Sequence, residues 1–133
     1  MTNEGRVYFA LYGKDFDPDE VTRLVGIEPT ATRRKADPIP KHSCWEVSSV
    51  HVENDLVDIY EMSSVLIAKL KPHSDSIASA KSKLGCEAVL QVVLHITIDD
   101  SISTPAIGFD VDVISFLNAV GASIDVDTYR NAP

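Results

Sequence analysis

The segment Gly121–Arg130, GASIDVDTYR, sets Asp125 and Asp127 in alternation with Ile124 and Val126. Alternation is the period of a strand, so both carboxylates share one side of the chain, about 7 Å apart. At that spacing the pair neither shares a proton nor chelates an ion unaided. A hard cation such as Ca²⁺ takes roughly six to eight oxygens, and no acidic, glycine-bearing loop in the chain adds them. No metal site is expected. Two readings of the aspartates remain. One is the wet side of an edge strand, blunted by charge against edge-to-edge pairing. The other is a latch to the basic stretch Arg33–Arg34–Lys35.

Nucleophilic chemistry is weakly signalled. A Cys–His pair needs both groups within hydrogen-bond reach, and Cys86 and His95 have opposite parity on one strand. Cys44 and His42 share parity, but they straddle a loop-to-strand junction. Zinc needs clustered Cys and His, whereas His42, Cys44, His51, His73, Cys86 and His95 are scattered singly. There is no G-x-G-x-x-G, Walker or G-x-S-x-G pattern. Neither a catalytic residue nor a cofactor is assigned, and a non-enzymatic role is favoured.

Binding chemistry has better material. Arg33, Arg34, Lys35, Lys41 and His42 concentrate between Glu28 and Ser43, just before Trp45. Of these, Arg33, Arg34, Lys35 and Trp45, together with Asp125 and Asp127, outline a candidate ligand or partner site. Tyr8 and Tyr12 lie on one face of the first strand, as in platforms that stack single-stranded RNA. However, twenty acidic residues against twelve basic give a formal charge of −8, which repels phosphate backbones. Nucleic acid and anionic membranes are therefore not expected partners. Burial of the tyrosines by other helices or by a second subunit is the favoured alternative.

The elements that must position these groups can be read from pattern. The chain has 133 residues, 44% hydrophobic and 7% aromatic, which suits one domain, residues 1–133, around an aliphatic core. No apolar run reaches the roughly 18 residues of a membrane helix. The N-terminus lacks a basic-then-apolar leader, so a cytoplasmic location with reduced thiols is expected. RVYFALYG reads as a central strand, with Val7, Phe9 and Leu11 on one face. DFDPDEVTRLVG reads as a helix capped by Asp17, with Pro18 at its first position and Gly26 as its stop. Three prolines make residues 28–43 irregular. CWEVSSV is a strand with Trp45 and Val47 inward. Residues 55–70 form an amphipathic helix burying Leu56, Ile59, Tyr60, Leu66, Ile67 and Leu70. A shorter helix covers about residues 74–84. AVLQVVLHITID is the longest strand, a short strand is expected at 106–109, DVDVISFLNAVG is a helix, and SIDVDTY is the last strand.

FDPDEVTRL and FDVDVISFL echo each other, and both helices end in Val-Gly. Each lies between two strands. The echo predicts an α+β fold: an antiparallel sheet from two split β-α-β units, as in ferredoxin-like folds. The helical pair at about 55–84 is then an insertion between the halves.

YFALYG, FDPDEVTRLVGIEPT, the TRRK loop, CWEV and GASIDVDTY, in this order, resemble the domain of unknown function 4279 family, small proteins found mainly in bacteria. The resemblance spans nearly the whole chain. That family shows a Lys-Gly pair after the basic loop, where this chain has Lys35-Ala36. The resemblance implies a stand-alone domain and adds no catalytic residue.

Together these readings favour a non-catalytic binding module with an acidic surface, suited to a basic protein partner and immunity-like in character. The alternative is a small anionic-ligand or enzymatic site between loop 33–41, Trp45 and the C-terminal strand. A homodimer burying the tyrosine face is a third expectation.

Overall fold

The computed structural model describes residues 2–131. Its elements are β1 (Asn3–Gly13), α1 (Pro18–Val25), β2 (Ala31–Arg33), β3 (Ser43–Ser48), β4 (Val52–Asn54), α2 (Ile59–Leu70), α3 (Ser74–Leu84), β5 (Glu87–Thr97), α4 (Val111–Val120) and β6 (Ser123–Asn131). The helix starts follow local chemistry. The Asp17 carboxylate accepts the Asp19 N–H and Pro18 opens α1. The Asp58 carboxylate does the same for Glu61 at α2. α1, α3 and α4 all end on a glycine in the left-handed region, Gly26, Gly85 and Gly121, where a Cβ would be strained.

The six strands form one mixed, mostly antiparallel sheet in the order β2-β3-β1-β5-β6, with β4 also on β1. β3 and β4 lie end to end along the same edge of β1. Their register on β1 slips by one residue between Ser48 and Val52, as a bulge requires. β1 is antiparallel to both β3 and β5, and β3 is antiparallel to β2. Hence β1 and β2 run parallel with β3 between them, and β3 and β5 run parallel with β1 between them.

The second of the two units that the helix echo predicts is not split. The helix α4 joins β5 to β6, which are adjacent and parallel with no strand between. The pair α2–α3 is the connection from β4 to β5. β2 is three exposed residues in the proline-rich stretch, with no hydrophobic period to mark them. They complete the first crossover and turn the chain so that β3 returns antiparallel. The strand expected at 106–109 reduces to an isolated bridge between Asp58 and Ala106.

All four helices form one layer. α1 touches α3, α3 touches α4, and α4 touches α2. Beneath them lie Val7, Phe9, Leu11, Trp45, Val47, Leu90, Val92 and Leu94, all fully buried. Phe9 meets Phe116 of α4 edge-on, with centroids 5.5 Å apart, the geometry that the ring quadrupoles favour. The buried stripe of α2 is Ile59, Met62, Ser63, Leu66, Ile67 and Leu70. Tyr60 and Leu56, expected inside, are 48% and 77% exposed. The helix begins at Ile59, so Leu56 precedes it, and rotation toward the core gives Met62 the place assigned to Tyr60.

The end of the sheet is tied by Asn3, which is fully buried. Its amide donates to the carbonyls of Asp55 and Ser103, and its oxygen accepts the N–H of Thr97. Among the described residues, no helix is long and apolar enough to cross a membrane.

Candidate functional site

With every helix on one side, the other face of the sheet is built from alternate residues of the same strands. β1 contributes Arg6, Tyr8, Ala10 and Tyr12, and β5 contributes Val89, Gln91 and Val93. Tyr8 pairs with Gln91 and Ala10 with Val89. Ala10 is small and lies between two tyrosines, so the floor dips there. The dip opens into a concavity of about 780 Å³. Tyr8, Tyr12 and Gln91 form its floor. Arg33, Lys41 and His42 stand at the β2 end, and Ser123 and Asp125 at the β6 end.

The floor is polar but held. The Arg6 guanidinium sits 4.4 Å from the Tyr8 ring centroid and 3.8 Å from the Glu46 carboxylate. Burial, then the nearby Glu46 charge, raises the Tyr8 phenol above its ordinary value, so it stays a neutral hydroxyl that can donate. The Gln91 amide donates to the Asp127 carboxylate at 3.2 Å and to the Asp125 carbonyl at 3.4 Å. His95 stacks on Tyr129, centroids 5.0 Å apart. This aromatic pair escaped the sequence reading, because the register of β5 on β6 is what brings the rings together.

The six residues singled out from the sequence do not form one site. Arg33 and Asp125 line opposite ends of the concavity. β2 and β6 are the two ends of the strand order, four spacings or about 19 Å apart. A latch between the basic stretch and Asp125 or Asp127 is therefore excluded. Arg34 instead bridges Asp17 and Asp19, at 2.7 Å each, and pins β2 to the start of α1. The Asp19 N–H first, then Arg34, hold the Asp17 carboxyl below its ordinary range. The Lys35 backbone N–H donates to Ser43 Oγ. Trp45 is fully buried on the helix face, where its indole N–H donates to Thr22 Oγ1 at 3.0 Å. Strand parity puts it on the far side of the sheet from the concavity, so it touches no ligand there.

Cys44, in the concavity wall, has its thiol raised by burial, with Arg33 opposing only in part. Cys86 is pushed up to about 11 by burial. Both are thiols rather than thiolates at neutral pH, and the thiolate is the reactive form. Among the described residues there is no group of three or more His, Cys, Asp or Glu placed to hold a metal ion.

A family model described as Domain of unknown function (DUF4279) matches residues 3–131, nearly the whole chain. No curated protein and no solved structure matches it.

Proposed function

The chain belongs to the DUF4279 family, and from that premise we propose that it is a non-catalytic binding module whose working surface is the open sheet face. The observation that carries this reading is the concavity: a tyrosine-floored depression left bare by four helices that all pack on the opposite face. Stability and recognition are thereby separated. Within this reading the β1–α1–β2–β3–(α2–α3)–β5 segment is a ferredoxin-like kernel, with α4 and β6 as an addition that widens the open face. The module is one domain, and an acidic chain of formal charge −8 steers toward a basic protein partner, as an immunity-like protein would.

Titration of the isotope-labelled protein with polylysine tests it. Backbone shifts at Tyr8, Tyr12, Gln91 and Asp125 are expected, and they should fade as salt rises, because exposed charges are screened within about 10 Å at 0.1 M. Shifts confined to the helix layer would refute the reading.

A second reading, a small anionic ligand, is favoured by one observation. Among the described residues neither Arg33 nor Lys41 has a carboxylate within ion-pairing distance, and both line the concavity. Inorganic phosphate that shifts Lys41 and His42 in the wild type but not in Arg33→Ala would support this reading over the first.

A further inference from the structure

The edge strand β6 is nine residues long and pairs only with β5, in an unbroken parallel ladder from Ser123 to Asn131. On its far side no strand follows among the described residues, so a row of backbone donors and acceptors faces outward. Proteins usually blunt such edges with short strands, prolines, charged side chains or bulges. The opposite edge does so: β2 has three residues and runs on toward Pro38 and Pro40. β6 has neither proline nor glycine, and its charged residues are two aspartates and one arginine, which deter an acidic strand but not a basic one.

Its two faces differ. Asp125 and Asp127 project on the concave side, in register with Gln91 and Val93. Ile124 and Val126 project on the helix side and remain 40% and 36% exposed. A second copy is a poor occupant. Pairing two β6 strands antiparallel over their full length sets Asp127 opposite its own copy, and like charges directly opposite are destabilising.

We propose that β6 accepts an extended segment of a basic partner as a seventh strand, a segment alternating Lys or Arg with apolar residues. This rests on the binding-module reading and specifies how the partner docks. Backbone bonds to the open edge supply the affinity, and the alternation supplies the specificity. Basic side chains fall opposite Asp125 and Asp127, while the intervening apolar ones cover Ile124 and Val126. From the concave side of this added strand, the rest of the partner reaches the tyrosine floor.

The probe is a short, end-blocked peptide alternating lysine and valine, compared with one of equal charge whose central valine is replaced by proline. The first should bind and slow hydrogen exchange at alternate β6 amides. The proline peptide, unable to continue a ladder, should bind about tenfold more weakly. D125K/D127K should weaken the first peptide by about tenfold or more, from two reversed cross-strand pairs, with unchanged circular dichroism. If both peptides bind equally and β6 exchange is unaltered, strand addition is overturned while the basic-partner reading stands. If neither peptide nor polylysine binds at low salt, both fall. If the protein alone is a dimer by light scattering with β6 already protected, a second copy holds the edge and the proposal is wrong.

Discussion

The two faces of the sheet are made by the same strands and have opposite chemistry. Toward the helices, β1, β3 and β5 present Val7, Phe9, Leu11, Trp45, Val47, Leu90 and Leu94, dry and fully buried. Away from them, the same strands present Tyr12 and, tied by cation–π, ionic and amide contacts, Tyr8, Glu46 and Gln91. One residue of register separates the two sets, because side chains alternate along a strand. The contrast assigns stability to the first face and leaves the second without a helix layer.

Truncation on each face tests this most strongly. Trp45→Ala removes a buried indole and should cost about 3–5 kcal/mol, read as a lower denaturant midpoint with an unchanged slope. Tyr12→Ala, on the open face, should cost less than about 1 kcal/mol. Equal costs would break the contrast. Asn3→Ala comes next. It leaves the Thr97 N–H and the carbonyls of Asp55 and Ser103 without their partner, so about 2–3 kcal/mol is expected. It should also raise hydrogen exchange at the β1–β5 end, whereas a neutral effect would mean that the tie is incidental.

Arg6→Ala, on the open face, should cost about 1–2 kcal/mol: Arg6 itself is 40% exposed, but its loss leaves the buried Glu46 carboxylate without its ionic partner. The same change should alter the Tyr8 environment by fluorescence or NMR. The smallest effect concerns Asp17, whose carboxyl is held low by the Asp19 N–H and then by Arg34. A depressed folded-state value means stability that is present above the unfolded aspartate pKa and lost as pH falls through the folded one. Unfolding curves should therefore weaken toward low pH with a slope that Asp17→Asn reduces. An unchanged slope would remove the latch on β2 from the account.

Much of this architecture was legible in residue patterns. The period of β1 and β5 identified their buried sides, and Pro18, Gly26 and Gly121 marked helix ends through backbone chemistry that needs no tertiary partner. Parity places Trp45 inward, and the same parity puts it on the far side of the sheet from a site between loop 33–41 and the C-terminal strand. Charge proximity in sequence misleads. Arg33, Arg34 and Lys35 are neighbours, but strand alternation sends Arg33 to the concavity while Arg34 reaches back to α1.

The sequence by itself determined where the long strands and the helices lie, which side of each long strand is dry, and a formal charge of −8. Those properties are local, fixed by periods of two and 3.6 residues and by fixed charges. Only the tertiary structure decided that β5 and β6 are adjacent, that β2 and β6 stand at opposite edges, that Asn3 ties three segments together, and that one face is left bare. Strand order and register depend on contacts between residues far apart in the chain, and no local period encodes those.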